Sequence, residues 1–124
     1  MLGLALAGCA PAPGTPCVPA TVPDCAGPTA PDFATLHGSV LARRCVVGSA
    51  CHSLAEQQGG LVLETQSRAF EDLSTRLVPG DAACSALAFR VTTTSPTQRM
   101  PPAGNLAPSE ICQILAWIDA GAMP

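Results

Sequence analysis

Lysine is absent from this chain, and its six cations, all arginine, stand against nine acidic residues for a net charge of -3. With no basic run long enough to neutralise a row of phosphates, nucleic acid is set aside as a partner. Charge of either sign is scarce, at 12% of residues against about 25% in ordinary domains, which excludes disorder driven by charge. No run reaches the ~18 consecutive apolar residues that a membrane span needs, so membrane attachment would have to come from a lipid anchor. Gly-x-Ser-x-Gly, His-Glu-x-x-His and a Gly-rich phosphate loop are all missing, and no enzymatic activity is expected. What is abundant is apolar residues at 48%, together with 13 Pro and 7 Cys in 124 residues. That combination predicts one small, rigid, cross-linked domain in an oxidising compartment.

The apolar run Met1 to Gly8 ends at Leu6-Ala7-Gly8-Cys9, which resembles a bacterial lipobox. The resemblance implies that residues 1–8 are part of a lipoprotein signal peptide and that the Cys9 thiol receives the lipid. Eight residues are fewer than the roughly 15 to 30 of a complete signal, and a charged n-region is missing, so the start is expected upstream. Residues 9–31 hold seven Pro (11, 13, 16, 19, 23, 28 and 31) and read as an extended tether. Cys17 and Cys25 are expected to bond to each other, closing a small loop in this coreless stretch.

From Pro31 onward the apolar spacing is helical. Phe33, Leu36, Val40 and Leu41 predict a helix from about Asp32, its N-cap, to Arg44. A second starts near Thr65 and carries Phe70 and Leu73. A third follows Val78-Pro79-Gly80 with Asp81 as N-cap and buries Cys84, Leu87 and Val91. The last opens at Pro108, presents Ile111, Ile114, Leu115 and Ile118 on one stripe and ends at Gly121. No stretch alternates as a strand does. The expected architecture is all-α, about four helices with long loops over residues 32–122.

Chemistry concentrates in Arg44-Cys45-Val46-Val47-Gly48-Ser49-Ala50-Cys51-His52. Taken with Gly59-Gly60-Leu61-Val62-Leu63, Val78-Pro79-Gly80-Asp81, Met100-Pro101-Pro102 and Trp117-Ile118-Asp119-Ala120-Gly121-Ala122, the chain resembles a c-type cytochrome domain over about residues 33–122. More narrowly it is similar to the cytochrome-c-like modules, often lipoproteins, of myxobacteria and planctomycetes. The resemblance implies covalently bound haem c, with Cys45 and Cys51 as thioether donors, His52 as proximal and Met100 as distal iron ligand, a pair that favours electron transfer. It further implies redox proteins of the cell envelope as partners, with the chain held by its lipid at the periplasmic or outer-membrane surface.

The family spaces its cysteines by two residues, whereas here five intervene. On a continuous helix, positions six apart differ by about 600°, which puts the two thiols on different faces. Both can meet one porphyrin edge only if Val46 to Ala50 loop out. The same loop would suit a Cys45–Cys51 disulfide, so the alternative is a haem-free, disulfide-stapled domain that binds another envelope component. Cys84 and Cys112, at apolar positions of helices expected to pack together, are predicted to bond to each other under either reading. A zinc site from Cys45, Cys51 and His52 lacks the short cysteine spacing and a fourth ligand. His37 reads as a surface or satisfied core histidine, Met100 could also serve only in packing, Trp117 reads as core, and Met123 as a frayed end.

Overall fold

The computed structural model describes residues 17, 23–25, 29–47 and 50–124. The lipobox-like run, Cys9 and most of the Pro-rich stretch lie outside them. Among the described residues the fold is helical and contains no strand.

Asp32 opens the first helix in the expected way, its carboxylate accepting from the Thr35 amide at 2.7 Å and so satisfying a donor that has no partner inside the helix. The helix runs as α1 (Phe33–Leu36), a π-helical turn (His37–Leu41) and α2 (Ala42–Arg44). Across the widened turn the Ala42 amide reaches the His37 carbonyl, and Phe33, Leu36, Val40 and Leu41 stay on one buried face.

Leu61, Val62 and Leu63 are buried although not helical, so their backbone groups need partners from elsewhere. The Val62 amide donates to Asp72 Oδ2 at 2.9 Å and the Leu63 amide to the His52 carbonyl at 2.7 Å, while His37 Nε2 bonds the Leu63 carbonyl at 2.9 Å. His37 is thus a satisfied histidine. Next come α3 (Gln66–Leu73), which buries Ala69 and Leu73, and a 3-10 turn (Ser74–Arg76).

The third predicted helix is two pieces. Asp81 caps a 3-10 turn, Ala82–Cys84, its carboxylate accepting from the Cys84 amide at 3.2 Å. Ser85 then breaks the rise: its buried hydroxyl donates to the Asp81 carbonyl at 2.8 Å and accepts from the Val78 amide at 2.9 Å. Only after it does α4 (Ala86–Thr92) begin.

The last helix, α5 (Pro108–Asp119), matches the sequence closely, with Pro in its first turn and the Glu110 carboxylate reaching back to the Ala107 amide at 2.9 Å. Gly121 follows at φ +111°, a region that glycine enters without steric cost. Trp117 is core, 3% exposed, with its ring 5.0 Å from that of Phe33. Its indole NH donates to the Met123 carbonyl at 2.8 Å, so the fraying expected at Met123 is confined to an exposed side chain.

The cysteines of the tether and the helices exchange the partners predicted for them. Cys17 is bonded to Cys84 and Cys25 to Cys112, with Cα–Cα separations of 5.1 and 5.4 Å, inside the range a disulfide can bridge. Neither the Cys17–Cys25 nor the Cys84–Cys112 bond forms. Cys84 sits on the turn before α4, displaced from the face on which it was expected to meet Cys112. Cys25 meanwhile packs against the core, so this part of the tether is within reach of α5.

Candidate functional site

Three helices end in arginine at one place: Arg44 closes α2, Arg76 closes the turn after α3, and Arg90 lies in the last turn of α4. Positive side chains are favoured there by the helix dipole. All three border a cavity of about 650 Å³, within the ~300–1,000 Å³ typical of cofactor pockets. Sequence reasoning passed over these arginines, although their place at helix ends was readable.

Cys45, Cys51 and His52, together with Met100 from a distant segment of the chain, all line this cavity. The Cys45 amide continues the helix to the Leu41 carbonyl at 3.0 Å, Ala50 turns back onto Val47 at 3.2 Å, and the His52 amide reaches the Cys45 carbonyl at 3.3 Å. The chain therefore leaves the helix and returns to its end, which removes the helical-phase objection to the five-residue spacing. Cys51 stands at φ +61°, a left-handed conformation that costs a non-glycine residue on the order of 1 kcal/mol. A bond from the Gln58 amide to its carbonyl, at 3.0 Å, helps to hold it there.

Cys45 and Cys51 are free thiols, so the bond that the haem-free alternative would place between them is not formed. Burial, and secondarily the neighbouring Cys51, pushes the Cys45 thiol up to about 11. His52 is half-buried, and its Nδ1 lies 2.9 Å from the Gln58 carbonyl. A carbonyl can only accept, so the neutral ring keeps its proton on Nδ1 and leaves the Nε2 lone pair for a ligand. Met100 is half-buried on the cavity wall, its amide donating to the Arg90 carbonyl at 2.7 Å, and the Met100–Pro101 peptide is cis. Trp117 packs with Phe33 and Phe70 and does not line the cavity.

Leucines 41, 61, 63 and 73, with Val91 and Ile114, make much of the remaining wall, and the charged side chains on it are three guanidiniums and the Glu56 carboxylate. Arg44 is paired with Glu110 at 3.6 Å, whereas Arg76 and Arg90 are held by the carbonyls of Gly59 and Gln98 at 2.7 and 3.1 Å. An apolar cleft rimmed by cations, with two thiols, an imidazole nitrogen and a thioether, fits a flat apolar macrocycle that bears carboxylates. Among the described residues no three His, Cys, Asp or Glu side chains gather as a set for a bare metal ion.

Residues 49–104, a little under half of the chain, match the family described as Planctomycete cytochrome C. The matched stretch takes in Cys51, His52 and Met100-Pro101-Pro102, and it begins after Cys45. Neither the curated proteins nor the solved structures give a match.

Proposed function

We propose that the cytochrome-c-like domain carried by this chain is an electron-transfer protein of the cell envelope, with covalent haem c in the 650 Å³ cavity. The observation that carries this reading is the His52 ring, fixed through Nδ1 to the Gln58 carbonyl on a cavity that Cys45, Cys51 and Met100 also border. Metal-bound histidines characteristically donate their second ring N–H to such an acceptor, which sets the tautomer and raises ligand basicity.

Bound haem would supply a one-electron couple, tuned upward by a His/Met ligand pair. Cys45 and Cys51 would hold the group covalently, His52 Nε2 and the Met100 sulfur would bind its iron, and the leucine wall would exclude water. Arg76 and Arg90, held at the rim by backbone carbonyls, suit its anionic edge. Two disulfides support a location outside the cytosol, since such bonds persist in oxidising compartments. Attachment through Cys9 and brief docking with other redox proteins complete the reading, and small, quickly released interfaces suit such carriers.

The test is a visible spectrum of protein made in a host with periplasmic haem-attachment machinery, and of the protein from its native envelope. Colour should survive denaturation, because thioethers do. Met100→Ala should alter the ligand field without releasing the group, and His52→Ala should prevent stable attachment. A colourless native protein whose mass shows a Cys45–Cys51 bond would overturn the proposal and favour the haem-free, disulfide-stapled binding domain.

A further inference from the structure

Two hydrogen bonds from different parts of the chain land on adjacent carbonyls of a single turn. His52 Nδ1 meets the Gln58 carbonyl at 2.9 Å, and Arg76 Nη2 donates to the Gly59 carbonyl at 2.7 Å. The turn Gln58–Gly60 sits among left-handed residues, with Gln57 at φ +46°, Gly59 at +65° and Gly60 at +69°. Glycine takes such angles freely but is the least constrained residue when nothing else holds it. The turn's own amide bonds, Gly60 to the Gln57 carbonyl at 2.9 Å and Leu61 to the Gln58 carbonyl at 3.3 Å, span only its ends. Further bonds, from Gln57 to Ser53 and Leu54 and from Gln58 to Cys51, come from the same loop and move with it.

Arg76 holds the turn itself from outside that loop. Its other terminal nitrogen is braced on the Asp72 carbonyl at 3.2 Å and on Thr75 Oγ1 at 3.4 Å, which ties the guanidinium to α3. A bond from a charged donor to a carbonyl is roughly twice as strong as a neutral one.

We propose that Arg76 is a positioning residue for His52: by clamping the Gly59 carbonyl to α3, it fixes the adjoining Gln58 carbonyl as the acceptor that keeps the His52 proton on Nδ1 and Nε2 open to a ligand. The purpose of an open Nε2 rests on the haem reading, but the clamp itself does not, and it is measurable before any haem is attached.

The chain contains only two histidines, and the second is a built-in control. His37 bonds the Leu63 carbonyl through Nε2, so in the neutral form it carries the opposite tautomer. Nitrogen-15 NMR of the full chain, with both disulfides formed and no haem attached, at a pH where both rings are neutral, should show Nδ1–H for His52 and Nε2–H for His37. Arg76→Met, which keeps the aliphatic stem and removes the donors, should turn His52 into a tautomer mixture and leave His37 unchanged. Arg76→Gln should act in the same direction, and Arg76→Lys should restore much of the Nδ1–H signal. Pure Nδ1–H at His52 in a folded Met or Gln variant would overturn the proposal, as would a His37 signal that moves as much as that of His52. A native protein that never binds haem would sink the function proposed above while leaving the tautomer experiment decisive for the clamp.

Discussion

Removing the bond between Cys25 and Cys112, by Cys25→Ala with Cys112→Ala, should cost this domain more stability than a cross-link confined to the tether could supply. The bond spans a sequence separation of 87 and its companion, Cys17–Cys84, one of 67. In the chain-entropy model, loops of that size constrain the unfolded chain by roughly 4 to 5 kcal/mol each, whereas a bond between Cys17 and Cys25 would contribute only about 2.6 kcal/mol. With the companion bond intact the remaining path is shorter, which lowers the increment to about 4 kcal/mol. Loss of packing around the buried Cys112 and the half-buried Cys25 adds on the order of 1 kcal/mol. Set against the ~5 to 15 kcal/mol of a typical domain, the double variant should be marginal. Denaturant unfolding of the two forms measures the difference, and peptide mapping without reduction identifies the partners. A loss below about 1 kcal/mol would refute the entropic argument, and a peptide that joins Cys17 to Cys25 would refute the pairing itself.

Three further outcomes are expected. The Cys45 thiol, at about 11 against an ordinary 9.0, should hold about 100-fold less thiolate at neutral pH than an unperturbed cysteine. Its alkylation in the folded, haem-free chain should therefore be slow and should recover on denaturation, and equal rates in the two states would contradict the burial argument. The Asp72 carboxyl is held below its usual 3.8, chiefly by the Val62 amide and with help from Arg68. Its contribution to stability is present above that unfolded value and lost as pH falls through the lower, folded one, so Asp72→Asn should flatten the acid limb of stability in thermal melts below about pH 4. Fatty-acid labelling in cells should mark the natural chain and not Cys9→Ser, and equal label would exclude the anchor.

How much of this was legible in the sequence depended on whether the signal was local. Asp32, Pro108 and Gly121 act within a turn of their own positions, and the helices they bound lie where the apolar spacing puts them. The split at Ser85 was hidden because a serine inside an apolar stripe reads as a tolerated helix residue until its hydroxyl finds carbonyls behind it. The disulfide partners were hidden for the same kind of reason: spacing gives the candidates, while the choice depends on where the tether crosses the helices. At the cavity, Cys45, Cys51, His52 and Met100 were named from a motif. The Gln58 carbonyl that orients His52 is a backbone group, and no residue identity announces it.

A small domain that lacks a cofactor's apolar surface gains from cross-links, so disulfides and a bound cofactor are alternative ways to stabilise such a fold. The structure separates the two. Both disulfides join the tether to the helical body, one at the turn before α4 and one at α5, and neither uses a cavity thiol. Ala86, Leu87, Arg90 and Val91 of α4 and Ile114 of α5 belong to the cavity wall, so the bonds fasten the elements from which that wall is built. A cleft with free thiols loses apolar contact whenever it is empty, and helices tied through a shared strap have fewer ways to collapse into it. The cross-links are then compatible with the proposed cofactor site and would help to keep the cavity open. Reducing both bonds in the haem-free chain should accordingly raise hydrogen exchange at α4 and α5 before it does so at α3, which neither bond adjoins. Uniform loss of protection along the three helices would show that the bonds stabilise the domain only as a whole.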